Sequence, residues 1–339
     1  MPLLDRLARP LGSLRISVTD RCNLRCQYCM PEEEYVWLPR QDILQFEEIV
    51  RLVGVFTRLG VHRVRITGGE PLLRRDVTGL IRQLTASARI EDLALTTNGV
   101  LLGELAAPLR DAGLHRITVS LDTLRADRFQ ALTRFNQLPR VLAGIDAARA
   151  CFEHVKIDSV IVRGTNDDEV VPLLDYGRAV GAEVRFIEYM DVGGATQWSP
   201  ERVFSRTDML HAVEASRGAV TPILDGSWAP ADRFVLPDGT TFGIISSTTA
   251  PFCRTCDRSR LTADGLWFRC LYARDGTDLR ALLRSGASDE VITDVIATVW
   301  SLREDRGAEL RAAERERTPF IPVSRLRRDP HLEMHTRGG

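Results

Sequence analysis

The chain has 339 residues, 44% of them apolar and 27% charged, and a formal net charge of −1. That suffices for a large hydrophobic core, one big domain and an appendage. The near-zero charge excludes a global basic field for nucleic acid and an acidic tail, and no apolar run approaches the roughly 18 residues of a membrane span.

The opening residues, MPLLDRLARPLG, carry two arginines but neither a long apolar stretch nor a small-residue cleavage site, so no secretory signal is expected. A cytoplasmic location follows, where paired cysteines bind metal more often than each other. The first β-rich run, LRISVTD (14–20), leads into TDRCNLRCQYCMP, with Cys22, Cys26 and Cys29 close together and no fourth cysteine nearby. A structural zinc site usually takes four ligands, and disulfides need an even number. An amphipathic segment follows over 43–59, with Ile43, Phe46, Ile49, Val50 and Val53 on one face.

Further strand-like runs are RVRITGG (63–69), LALTTNG (93–99), RITVSLD (116–122), VKIDSVIV (155–162) and EVRFIEYM (183–190). Helical patterns near 101–112, 140–152 and 167–180 separate them. Strands alternating with helices predict a parallel sheet of six βα units, as an open doubly wound sheet or an incomplete barrel. The polar stretches TDRC, TGGEP, TTNG, SLD and MDVGG all follow strand carboxyl ends. Many strands each contributing at that rim favour the barrel. The expected fold is therefore α/β, an incomplete (β/α)6 TIM-type barrel.

From about residue 195 the alternation fades. TDMLHAVEAS reads as a helix and RFVLPDGTTFGIISS as a hairpin turning at Asp238-Gly239, with a second turn at Asp264-Gly265. Helical segments from about 278 to 315 and a polar, proline-marked tail follow. A boundary near 225 divides the chain into a barrel (1–225) and a C-terminal region (226–339).

Of the seven cysteines, Cys151 reads as a buried small hydrophobe at a helix end. The other six make two triplets, the second being Cys253, Cys256 and Cys270, spaced C-x2-C-x13-C. Of the 45 basic residues, all but Lys156 are arginine, which suggests that this position needs a compact ammonium.

The spacing C-x3-C-x2-C can give one thiolate to each of three irons of a 4Fe–4S cube and leave the fourth iron open. An open coordination site is a catalytic one. Taken alone, the second triplet also reads as half a zinc ribbon, but no fourth ligand lies nearby and a second cube fits the count better. Arg258 and Arg260 stand between its ligands, facing the same way if this is a strand. Arg15, Arg65 and Lys156 lie in strand-like runs, where a charge is costly without a partner, and Thr96 opens TTNG. Five cations converging on one cavity suit a triphosphate and its sugar.

CNLRCQYC, on the loop after the first strand, resembles the radical S-adenosylmethionine (SAM) enzymes. The resemblance implies that the open iron chelates the amino and carboxylate groups of SAM, whose reductive cleavage yields a 5′-deoxyadenosyl radical. It also implies SAM contacts at Tyr28, Gly69, Ser120 and Met190. The wider pattern resembles the MoaA family, the GTP 3′,8-cyclases of molybdenum cofactor biosynthesis. It is carried by RCNLRCQYCMP, RITGGEPLLRRD, LTTNG, SLD, RGTNDDE, RFIEYMDVG, the segment C-x2-C-D-R-S-R-L-T-A-D-G-x4-C and the final Gly338-Gly339.

What this implies is a lyase-type enzyme in which hydrogen is abstracted from C3′ of GTP to give 3′,8-cyclo-7,8-dihydro-GTP. Cys22, Cys26 and Cys29 hold one 4Fe–4S cluster and Cys253, Cys256 and Cys270 the other. Arg15, Arg65, Thr96, Lys156, Arg258 and Arg260 bind GTP. The Gly338-Gly339 tail threads into the barrel to assist cofactor cleavage, although Thr336 and Arg337 stand where a more hydrophobic residue is expected. Asp158 stands where the pattern more often has asparagine, and MPEEEYVW replaces a more glycine-bearing turn. Implied partners are an electron donor and the downstream cyclic pyranopterin monophosphate synthase. The oligomeric state is left open, a homodimer included. Rival readings are another radical SAM enzyme with an auxiliary cluster and a zinc-binding interaction protein on an inactive barrel.

Overall fold

The computed structural model describes residues 3–87, 89–224, 229–314 and 316–338. Six parallel strands stand side by side in chain order: β1 (Ser13–Ser17), β2 (Arg63–Thr67), β3 (Asp92–Thr97), β4 (Arg116–Ser120), β5 (Val155–Ile161) and β6 (Glu183–Glu188). Parallel neighbours need crossovers, and helices supply them. These are α1 (Phe46–Arg58), α2 (Val77–Ser87), α3 (Leu102–Asp111), the pair α4 (Ala126–Thr133) and α5 (Leu138–Cys151), and α6 (Val170–Val180).

After α7 (Arg206–Arg217) the chain adds β7 (Thr221–Ile223), β8 (Asp232–Val235) and β9 (Thr241–Ile245), with β9 parallel to β6. At the other edge β10 (Arg258–Leu261) runs parallel to β1, followed by antiparallel β11 (Leu266–Phe268) and β12 (Thr277–Asp278). Among the described residues the result is one mixed sheet of 12 strands in the order β12-β11-β10-β1-β2-β3-β4-β5-β6-β9-β8-β7. The expected boundary at 225/226 lies outside the described residues; strands on both sides of it belong to this sheet.

Strand alternation sorts the two faces. In β1, Leu14 and Ile16 are fully buried and join the apolar core with Ile49, Leu52, Val53 and Phe56 of α1. Arg15, between them, points to the other face, where side chains from β1 to β6, β9 and β10 line one cavity of about 320 Å³. The sheet therefore curves around that cavity, with helices on its convex side. Gln45 and Glu48 start α1 as a reciprocal capping box. Between α3 and α5 the backbones come close because Gly144 has no side chain; a Cβ there would lie 3.1 Å from Leu102 Cβ.

The hairpin and both turns stand where the sequence places them, with Gly239 and Gly265 at φ of 85° and 90°. The region 278–315 is broken into α8 (Leu279–Arg284), α9 (Asp289–Ser301) and α10 (Gly307–Ala312). Ile292, Ile296 and Trp300 of α9 close the core, Trp300 stacking on Trp267 at 6.4 Å. The tail is more structured than its polar composition suggests. It forms α11 (Val323–Leu326) and α12 (Met334–Arg337), and residues 335–337 are buried.

Candidate active site

Beyond β1 the loop 18–31 carries Cys22, Cys26 and Cys29 to the cavity. The TGGEP segment after β2 braces this loop: Gly69 N–H donates to the Thr19 carbonyl (2.8 Å) and Glu70 N–H to that of Arg21 (2.7 Å). Close approach requires the glycines. A Cβ on Gly68 would lie 2.6 Å from the Thr19 carbonyl oxygen, and one on Gly69 would run into that of Arg21. The room these glycines leave is therefore filled in part by the cysteine loop itself. Gly69 also lines the cavity.

Glu70, almost fully buried, accepts from Leu72 N–H (3.0 Å), Asn98 N–H (2.7 Å) and the Thr97 hydroxyl (2.8 Å), and so locks the ends of β2 and β3 together. Burial pushes its carboxyl up to about 7. The Asn98 amide donates to Asn23 Oδ1 (2.7 Å) and to Cys22 Sγ (3.8 Å). Tyr28, inside the loop, donates its hydroxyl to Asp122 Oδ2 at 2.7 Å, tying the loop to the end of β4. Burial raises Asp122 to about 6.

Burial pushes the Cys22 thiol up to about 11, and burial, with neighbouring carboxylates and thiols, pushes Cys26 and Cys29 up as well. Three thiolates here need cationic charge among them. Among the described residues no three histidine, cysteine or carboxylate side chains come close enough to bind one metal ion. The donor set suits a group with several metal atoms, each taking one thiolate, as in an iron–sulfur cube.

Strand register assembles the cations. Arg15 on β1 lies between Arg65 on β2 and Arg260 on β10, with Arg258 two residues before. Burial first, then Arg260, Arg65 and Arg258, push the Arg15 guanidinium down, as for like charges gathered in one place. Arg65 donates to the hydroxyls of Thr96 (3.0 Å) and Thr118 (3.1 Å). Arg15, Thr96, Arg258 and Arg260 line the large cavity with Ser120 and Met190. Arg65 instead lines a smaller cavity of about 110 Å³ that shares Arg15, Asp158 and Arg258 with the first.

Lys156 lines neither cavity and pairs with Glu183 at 3.4 Å. It lies on β5 as the sequence predicts, but it stands beside Thr118 and Glu183, where a carboxylate has already taken it. Arg116 and Arg185, which do line the smaller cavity, escaped the sequence reading. Both lie in strand-like runs, the signal that marked Arg15 and Arg65.

In the second cysteine segment, Cys256 and Cys270 face the large cavity and Cys253 is buried beside them. Burial pushes all three thiols up. At Cys256, Arg258 and Arg303 outweigh it and the net direction is down. Arg258 donates to Cys256 Sγ at 3.7 Å. Cys151 is only partly buried and packs against the core.

The tail reaches the same place. Arg337 does not need to be apolar there, because its guanidinium lies 4.2 Å over the Phe268 ring and donates to the carbonyls of His331 (2.6 Å) and Leu271 (2.7 Å). Arg260 then donates to the carbonyls of Arg337 (3.2 Å) and Gly338. Gly338 has a φ of 72°, and a Cβ on it would overlap the Thr67 hydroxyl at the end of β2. Gly339 lies outside the described residues. Met334 and His335 line the cavity, which composition alone did not suggest. No described helix is long and apolar enough to cross a membrane.

Comparison with known proteins identifies the family of the chain. The Radical SAM superfamily model matches residues 16–177 and the Molybdenum Cofactor Synthesis C model residues 182–309. The chain is 56% identical over 340 residues to GTP 3′,8-cyclase 1 of Mycobacterium tuberculosis (strain ATCC 25618 / H37Rv), covering 99% of this chain and 95% of that one. To the GTP 3′,8-cyclase of Acidothermus cellulolyticus it is 47% identical over 325 residues, 92% and 90% of the two chains. Among solved structures, Streptococcus suis SuiB bound to S-adenosylmethionine matches with a TM-score of 0.60 at 15% identity, over 90% of this chain and 68% of that one. That likeness speaks for the fold.

Proposed function

The chain belongs to the GTP 3′,8-cyclase family of the radical SAM superfamily, and from that premise we propose how its residues share the work. It is a radical SAM GTP 3′,8-cyclase of molybdenum cofactor biosynthesis. The observation that carries our assignment is that the first cysteine triplet, Cys256 and Cys270 of the second, and Arg15, Arg258 and Arg260 all open onto one cavity.

We assign Cys22, Cys26 and Cys29 to a 4Fe–4S cluster and Cys253, Cys256 and Cys270 to a second one. When bound, the first cluster and SAM would supply radical chemistry at the cysteine-loop end, and the second cluster, held by Cys253, Cys256 and Cys270, would help anchor the base. Tyr28, Gly69, Ser120 and Met190 hold SAM at the cysteine-loop end. Arg15, Arg65, Arg258 and Arg260, with Thr96 and with Lys156 once it turns from Glu183, hold the triphosphate and sugar of GTP, and the substrate guanine lies toward Cys256 and Cys270. That pose sets C3′, which loses hydrogen, against C8, to which it bonds, and such positioning supplies much of the rate. We assign the glycine tail to assisting SAM cleavage, with Gly338 held by Arg260 against the end of β2, while Met334 and His335 on the cavity wall help exclude water.

The curved sheet is best described as an incomplete (β/α)6 barrel, with residues 1–225 building the SAM half and 226–339 the auxiliary-cluster half. We further propose lyase-type chemistry, a cytoplasmic setting, an external electron donor and delivery of the product to a cyclic pyranopterin monophosphate synthase.

The test is anaerobic reconstitution with iron and sulfide, followed by reductant and SAM, measuring 5′-deoxyadenosine with GTP, with ATP and with neither. Formation that depends on GTP and consumes it is expected. Equal formation in all three would overturn the substrate assignment, and none in a reduced, reconstituted sample would overturn the cluster assignment.

A further inference from the structure

Asp158 lies on β5 between register neighbours Ser120 on β4 and Arg185 on β6. Of the carboxylates lining the two cavities, it is the one common to both. Its charge is felt by Arg15, Arg65 and Asp122. Yet among the described residues no side chain bonds to it, and its Oδ1, shielded from water, has no hydrogen-bond partner. Neighbouring groups are satisfied in other ways: Arg65 by Thr96 and Thr118, Asp122 by Tyr28 and the Val160 N–H.

With no donor on either side among the described residues, the cavity-facing oxygen of this carboxylate is open to a donor that a ligand brings. Phosphate oxygens cannot serve, since they only accept and repel it. Resting on the GTP reading, the triphosphate occupies the arginine-lined smaller cavity and the base faces Cys256 and Cys270. The sugar then lies at the junction, where Asp158 is. Its only donors are its hydroxyls.

We propose that Asp158 is a specificity-determining residue that accepts a hydrogen bond from a ribose hydroxyl of GTP. A carboxylate–hydroxyl bond is charge-assisted. A deoxynucleotide would leave the oxygen unpaired, and a site built around such a bond rejects the analogue that lacks it. The same bond fixes the rotation of the sugar between its two anchored ends.

Equilibrium binding of GTP, 2′-deoxyGTP and 3′-deoxyGTP to the reconstituted protein tests this, with wild type, Asp158→Ala and the isosteric Asp158→Asn. Wild type should bind one deoxy analogue about 10- to 100-fold more weakly than GTP, and which analogue suffers identifies the hydroxyl. In Asp158→Ala the ratio should fall to within about 2-fold, while Asp158→Asn, which keeps an acceptor, should lie between. A merely structural role would weaken all three nucleotides together and leave the ratio unchanged, which overturns the proposal. So would equal binding of all three by wild type, or loss of SAM binding by Asp158→Ala without nucleotide. If wild type binds GTP no better than ATP, the substrate reading itself fails, and this inference with it.

Discussion

Burial and the Arg185 guanidinium both oppose the ammonium of Lys156, Glu183 at 3.4 Å favours it, and the balance lowers it to about 8. A base lowered in the folded state loses its charge as pH rises through that value. Bound phosphate restores the charge, so binding takes up a proton there. GTP affinity should therefore fall as pH rises from about 7.5 to 9.5, by up to tenfold per unit. Lys156→Arg should flatten that profile, and titration calorimetry at several pH values reads it. A profile equally steep in the variant would remove Lys156 from the phosphate site. Folding stability follows the opposite course: the unfolded chain holds the proton up to the ordinary lysine value, so this residue's contribution rises as pH climbs above 8. Arginine would escape this titration but brings a planar fork where Glu183 meets a point charge.

At the level of elements, β10 and the tail form one device. Arg260 on β10 clasps the carbonyls of Arg337 and Gly338, and Arg337 is stacked on Phe268 of β11. The tail can reach β2 because Gly338 takes a positive φ and has no side chain to meet Thr67. Gly338→Ala should therefore undock the tail without touching any cysteine. Expected are carboxypeptidase trimming of residues that wild type protects, unchanged iron content and a severalfold loss of SAM cleavage. Equal protection in both proteins would mean that the tail is held without Gly338. The strands and turns were legible because alternation, Asp-Gly pairs and polar strand ends are local signals. The tail was not: its burial depends on an aromatic ring and an arginine far away in sequence, so nothing beside His335, Thr336 and Arg337 distinguishes them from the rest of a polar, proline-marked tail.

Across the whole molecule, the first residues support the second cysteine segment. Arg9 donates to the carbonyls of Cys253 and Asp305 (both 2.8 Å), Arg303 to that of Cys256 (2.8 Å), and Asp5 pairs with Arg9 (2.7 Å) and Arg303 (3.1 Å). All three side chains are essentially unexposed. Removing the one carboxylate leaves two buried guanidinium groups uncompensated. Asp5→Ala should cost about 3–5 kcal/mol in denaturant unfolding, and in reconstituted protein the second triplet should lose its iron before the first. Loss from the first triplet alone would contradict this coupling. Within MPLLDRLARP only the Asp5–Arg9 ion pair is local; Cys253, Arg303 and Asp305 lie 244 to 298 positions from the residues they meet there and leave no mark nearby.

The sequence by itself determined the βα order, the two cysteine triplets, the glycines that let loops approach, and the family. Each of these is a matter of spacing along the chain, and the chemistry of thiolates and glycine leaves few alternatives at those spacings. Tertiary structure decided which charges meet. It is register between strands, set by the packing of their buried faces, that puts Arg15 beside Arg65 and Arg260, gives Lys156 to Glu183, and leaves Asp158 unpaired at the junction of two cavities.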